Sequence, residues 1–194
     1  MLWRNLLAVP VVLTVIGSAV QVAAQPAELF KPYLSQISRN LPMGLVMRLP
    51  SRIQLGRPAD PEFIRQLIVK VLPSTTPANL TVGLFTCESG PHPCLVGSFA
   101  VDWQNSVNAQ RELQRHKDAV TPFTLTQNIR GYLLEGKKQK PSYPFSSVMW
   151  EQDGMIYTVS FLSGERENIL RMAHSMALNS PIRRTVVPLG TLSR

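Results

Sequence analysis

The chain has 194 residues, with 20 Lys+Arg against 12 Asp+Glu, a net charge of +8, two Cys, 16 Pro and 44% hydrophobic residues. That length suits one hydrophobic core. A mean hydropathy near zero with 16% charged residues excludes a multi-span membrane protein and a disordered acidic chain, and two cysteines exclude a disulfide-dense scaffold or a Cys-rich metal domain.

The first 24 residues read as an export signal. Arg4 is the one charge in Met1–Asn5, and the apolar run Leu6–Val20 is broken only by Pro10, Thr14, Gly17 and Ser18. Cleavage after Ala24 would leave the small residues Val22 and Ala24 at −3 and −1, the usual processing pattern. The run of about 15 residues is short of the roughly 20 that span a bilayer, so removal of the signal is expected. No Cys lies near that point to carry a lipoprotein anchor. The expected product is a bacterial protein, periplasmic or extracellular, that has lost only Arg4 and carries a charge of +7. Residues 25–43, bearing Pro26, Pro32 and Pro42, read as a loosely ordered lead-in with a short helix near Leu34. A single domain over 44–182 and a mobile tail over 183–194 complete the expected organisation.

Leu45–Leu49 reads as a first strand, stopped by Pro50. Asp60-Pro61-Glu62 is a helix start, with an N-cap acceptor and Pro at the first helical position. Ile64, Leu67, Ile68 and Val71 follow at helical spacing up to Pro73. Leu80–Cys87 and Cys94–Val101 form a predicted hairpin across a loop of turn residues, with Cys87 opposite Cys94. That register puts Leu80, Val82, Leu84, Leu95, Phe99 and Val101 on a core face, and Phe85, Val96 and the cysteines on the other. In an oxidising compartment the two thiols should pair, and closing this loop would add about 2.5 kcal/mol in the chain-entropy model. Ser106–Val120 is a second predicted helix, and Phe123–Thr126 and Ile129–Leu134 are short strands. Asp153-Gly154 is a favoured two-residue turn that sets Trp150 opposite Tyr157, Val148 opposite Val159 and Ser146 opposite Phe161. Gly164–Leu178 is a closing helix with Ile169, Met172, Ala173 and Met176 inward, stopped by Asn179 and Pro181. Hairpins dominate and no βαβ unit appears, so the fold class is α+β: an antiparallel sheet of hairpins with about three helices packed on one face.

Little in this pattern is chemical. The basic residues are scattered, as in Arg48, Arg52 and Arg57 or Arg111, Arg115 and Lys117, and the run Lys137-Lys138-Gln139-Lys140 lies in a turn region. This excludes an organised nucleic-acid surface and leaves a weak attraction to an anionic membrane surface. His92, His116 and His174 are far apart, and none has a second ligand at helical or strand spacing. No Gly-x-Ser-x-Gly elbow, phosphate loop or dinucleotide fingerprint occurs. No catalytic residue, metal or cofactor is assigned. The candidate binding face comprises Phe85, Val96, Met149 and Thr158, on sheet surface expected to lie uncovered.

The strand Ile129-Arg130-Gly131-Tyr132-Leu133-Leu134, the hairpin Trp150-Glu151-Gln152-Asp153-Gly154-Met155-Ile156-Tyr157 and the helix end Ala173-His174-Ser175-Met176 resemble a bacterial extracytoplasmic domain of unknown function. That family sits at the C-terminus of membrane-bound regulators and carries a W-E-x-x-G-x-x-Y hairpin before its helix. The sheet is also distantly similar to those of lipoprotein carriers. The resemblance covers about 50 residues, leaves the N-terminal part without a counterpart and transfers no catalytic residue. It implies an exported noncatalytic module binding a protein, lipid or other envelope component through its sheet. The alternative is a hydrolase with a dispersed site, which requires one of the three histidines within reach of both a Ser and a carboxylate.

Overall fold

The computed structural model describes residues 25–56, 60–89, 94–119 and 122–185. The expected signal 1–24, His92 and the tail beyond residue 185 lie outside the described residues. No helix among the described residues is long and apolar enough to cross a membrane.

Seven strands form one antiparallel sheet in the order β1-β2-β3-β7-β6-β5-β4. They are β1 (Ile68–Thr75), β2 (Ala78–Phe85), β3 (Leu95–Trp103), β4 (Phe123–Thr126), β5 (Ile129–Leu134), β6 (Phe145–Gln152) and β7 (Met155–Leu162). Two meanders, β1–β3 and β4–β7, join along the β3–β7 seam. The β6–β7 hairpin has the predicted register, Trp150↔Tyr157, Val148↔Val159 and Ser146↔Phe161. Its turn residues take positive φ, 54° at Asp153 and 76° at Gly154, as the strand twist demands of a two-residue loop. Trp150 and Tyr157 stack with ring centroids 5.4 Å apart, both wholly buried. The β2–β3 hairpin also follows the predicted register from Leu80↔Val101 to Leu84↔Gly97. It then slips, and Phe85 pairs with Leu95. Val96 is the extra residue of this bulge.

Two elements differ from the sequence reading. The helix opened by Asp60 is short: α2 covers only Pro61–Arg65, with the Asp60 carboxylate accepting from the amides of Glu62 and Phe63. Ile68–Thr75 continues as β1, because Ile68, Val69 and Val71 are β-branched and β2 offers a full ladder of partners. Pro73 is tolerated there since β1 is an edge strand. The Leu45–Leu49 stretch is no strand, and joins only one bridge, Met47↔Ile182. It is wholly buried, and a buried irregular segment shows the same continuous apolar run as a buried strand.

Residues 25–43 are no loose lead-in. Glu28–Tyr33 forms a 3-10 helix and Leu34–Asn40 forms α1. Phe30, Ile37 and Leu41 are at most 1% exposed, and the Phe30 ring meets Phe99 of the central strand β3 edge-on at 5.7 Å.

Helices cover both faces of the sheet, where one covered face was expected. On the inner face α4 (Arg166–Leu178) buries Ile169, Met172, Ala173 and Met176 in the main core with Val82, Phe99, Val148 and Val159. On the outer face α3 (Val107–Ala119) sets Ala109 and Leu113 against Met149 and Ile156, flanked by Tyr132. It spans β5, β6 and β7. Among the described residues no helix covers the outer face over β1–β3.

Candidate functional site

The four candidate binding-face residues fall into three environments. Phe85 and Thr158 lie half-buried on the outer face. The Phe85 ring covers Gly83, where a β-carbon would stand 2.6 Å from it, and the Lys70 ammonium lies 4.8 Å above the ring centroid. Met149 is 2% exposed beneath α3. Val96 is 7% exposed in the main core, delivered there by the bulge. The open outer surface therefore consists of rows such as Leu72–Thr81–Ala100–Thr158 and Lys70–Gly83–Ser98–Ser160. Cys87 and Cys94 form a disulfide, with their α-carbons 5.7 Å apart. It closes the mouth of the β2–β3 loop.

A groove of about 890 Å³ opens on the N-terminal side of the domain. Its walls are the 3-10 helix, with Leu29 and Tyr33, and α2, with Ile64. Its floor comes from Ile53 and Leu67, at 8% and 5% exposure. Concave volume of this size with an apolar lining and few polar groups is the usual form of a small-molecule site. The polar groups are distinctive. Glu28 is held by Lys31 at 2.7 Å, and Arg65 is paired with Glu62. Arg52, exposed on the rim, has no carboxylate partner among the described residues. The Gln54 side-chain oxygen is buried without a hydrogen-bond partner among the described residues.

A second cluster joins the β6–β7 turn to the segment beneath it. Arg48, 8% exposed, donates from Nη2 to Asp153 Oδ2 at 2.7 Å and from Nη1 to the Asn179 carbonyl, while its Nε has no partner among the described residues. Tyr157 donates to the Val46 carbonyl at 2.9 Å, and burial pushes its phenol up to about 12 against the opposing pull of Arg48. A phenol so placed stays protonated and acts as a strut. Sequence reasoning took Arg48 only as one of the scattered basics. The signal it missed is a cation inside an uninterrupted apolar run.

His116, 1% exposed, faces the sheet from α3. Its Nδ1–H donates to the Glu112 carbonyl at 2.8 Å, which leaves Nε2 to accept from the Ser147 hydroxyl at 2.8 Å. The Glu112 carboxylate is 3.7 Å from Nδ1. Burial lowers the imidazole pKa, with Glu112 opposing, so the ring is neutral at pH 7. His174 is exposed on α4 and donates to the Leu125 carbonyl. No group of three or more potential metal ligands converges among the described residues. Comparison with protein-family models, curated proteins and solved structures returns no match to this chain.

Proposed function

We propose that this is an exported, noncatalytic module of the bacterial cell envelope, and that its N-terminal groove takes an amphiphile, apolar chain inward and anionic head at the rim. The observation that carries this reading is the groove itself: Leu29, Ile53, Ile64 and Leu67 supply the apolar lining, and Arg52 stands unpaired at its edge. The expected signal 1–24, the Cys87–Cys94 disulfide and the resemblance to an extracytoplasmic domain support export, since disulfides persist in oxidising compartments.

Palmitate displacing an anionic naphthalene fluorophore from the protein tests this. Binding should saturate, and Ile64→Trp, which fills the groove, should weaken it at least about tenfold. Arg52→Glu should weaken palmitate more than a neutral alkyl alcohol of equal length. Absence of saturable binding, or binding unchanged in Ile64→Trp, would remove the groove from the function.

A second reading, a hydrolase acting through Ser147, His116 and Glu112, has the 2.8 Å Ser–His contact in its favour. Against it, the ring is 1% exposed and Nδ1 is spent on a backbone carbonyl. That geometry favours a pin between α3 and β6. Labelling of Ser147 by a fluorophosphonate, abolished in Ser147→Ala, would reinstate the enzyme.

A further inference from the structure

We infer that the face carrying Arg39, Arg183 and Arg184 docks on an anionic phospholipid surface. These three arginines converge on one groove of about 660 Å³, and among the described residues lining it there is no acid. Lys31, Arg48, Arg65, Arg115, Lys117, Lys138 and Arg166 each hold a carboxylate. Other basic residues without one, such as Arg52 and Arg111, line grooves that also carry an acid, Glu28 and Asp118, whereas Arg39, Arg183 and Arg184 hold none among the described residues and share a groove without one. Unneutralised guanidinium groups on one surface are the electrostatic footprint of an anionic partner.

The arginines are also held in place. Ser38 of α1, 7% exposed, donates to the Arg183 carbonyl at 2.6 Å and accepts from the Thr185 amide at 2.9 Å. The Met47↔Ile182 bridge anchors the same segment one residue earlier. Arg39 follows Ser38 directly, so one buried serine fixes both sides of the groove. Between them Met43 is 82% exposed, on a loop whose Gly44 adopts φ 82° and where a β-carbon would stand 2.8 Å from the Trp103 ring. An apolar tip ringed by arginines suits the boundary between headgroups and acyl chains, where guanidinium groups meet phosphate and the apolar side chain enters the bilayer. Gln25, where the chain joins the sequence carrying the Leu6–Val20 run, lines a neighbouring groove together with Ser38 and Thr185, so that junction opens on the same side. This surface shares no lining residue with the palmitate groove and stands or falls separately.

Co-sedimentation of the full chain with vesicles tests the inference, comparing phosphatidylglycerol-rich with pure phosphatidylcholine vesicles. The wild type should prefer the anionic vesicles, and the preference should shrink with added salt. The triple variant Arg39→Gln/Arg183→Gln/Arg184→Gln, all three side chains being exposed, should bind anionic vesicles about 100-fold more weakly. Met43→Asp should lower binding with the arginines intact. A control of equal charge change, Arg111→Gln/Lys137→Gln/Lys140→Gln, should stay close to wild type. The apolar run is common to every variant, so differences report the substituted side chains. Retained preference in the first triple, or equal loss in both triples, would overturn the inference.

Discussion

Replacing Asp153 by Asn isolates the charge of Arg48 while leaving the hairpin turn intact. Asn tolerates the positive φ of 54° found at this position, so the turn should persist. Its amide oxygen cannot replace a full negative charge beside a guanidinium whose side chain is 9% exposed. The magnitude follows from the asymmetry of the pair. Exposed ion pairs contribute up to about 1 kcal/mol, whereas removing one partner of a buried pair costs about 3–5 kcal/mol. Asp153 is 56% exposed, so water reaches Arg48 from that side and the cost should fall to about 2 kcal/mol. For a domain of this size that is a fall in Tm of about 4–8 °C. Urea unfolding at constant pH, analysed for the midpoint at fixed slope, measures it. Arg48→Met should cost less, because it removes the buried charge and leaves Asp153 in water. In the double variant the cost of Asp153→Asn should largely disappear. A loss below about 0.5 kcal/mol in Asp153→Asn, or strict additivity in the double variant, would refute the argument that Arg48 depends on this partner.

Three further substitutions probe the scaffold. A β-carbon at Gly136 would meet the carbonyl oxygens of Phe145 and Tyr143 at 2.0 and 2.3 Å, and backbone cannot move aside as a side-chain tip can. Gly136→Ala should therefore cost about 3 kcal/mol, while Gly164→Ala, with nothing within 4 Å, should stay within about 0.5 kcal/mol, both read by thermal unfolding. His116 is buried neutral and its pKa is lowered, so the unfolded chain takes up the proton first as pH falls. Its contribution is present above the unfolded value of about 6.5 and is lost progressively as pH drops from there toward the folded value. His116→Gln should be less stable than wild type at pH 8, and that gap should narrow at pH 5; a gap independent of pH would show that the ring does not titrate differently on folding.

What was legible in the sequence was local. Asp153-Gly154 dictates its hairpin because the turn and the alternation of six flanking residues agree, whereas setting Cys87 opposite Cys94 gives the β2–β3 register only from Leu80↔Val101 to Leu84↔Gly97, before the bulge displaces it by one residue. The Ile68–Thr75 error has a physical cause: Leu67, Val69 and Val71 satisfy period two as well as Ile64, Leu67, Ile68 and Val71 satisfy the helical period, and the partner strand decides between them. The bulge that turns Val96 inward adds one residue to one strand, and no periodicity marks where it falls. Phe30 reads as part of a Pro-bearing lead-in because its partner, Phe99, lies 69 positions further on in sequence. The arginine groove was least legible of all. Arg183 and Arg184 join Arg39 through the Ser38 hydrogen bonds, across a sequence separation of 145, and through the neighbouring Met47↔Ile182 bridge.

Both proposed surfaces belong to the layer packed beneath the sheet, and this decides where substitutions are informative. The Ala27 amide bonds the Pro50 carbonyl at 2.8 Å, the Ser51 amide bonds Ser175 Oγ at 2.9 Å, and Asn179 Nδ2 bonds the Leu49 carbonyl at 2.7 Å. With the Met47↔Ile182 bridge and the Ser38 contacts, these stitch residues 25–56 to the end of α4 and the segment after it. β5, the β6–β7 hairpin and α4 supply the platform for that layer. The palmitate groove draws its residues from 27–33, 51–54 and 61–67, and the arginine groove from 39–46 and 183–185. Neither takes a residue from β5, the β6–β7 hairpin or α4. A chain sharing only the hairpin and closing helix would therefore share the platform without either binding surface. Function in this protein is to be sought by substitution at Arg52, Ile64, Arg39 and Arg183 rather than at the aromatic hairpin, whose Trp150 and Tyr157 are wholly buried and whose loss would report stability alone.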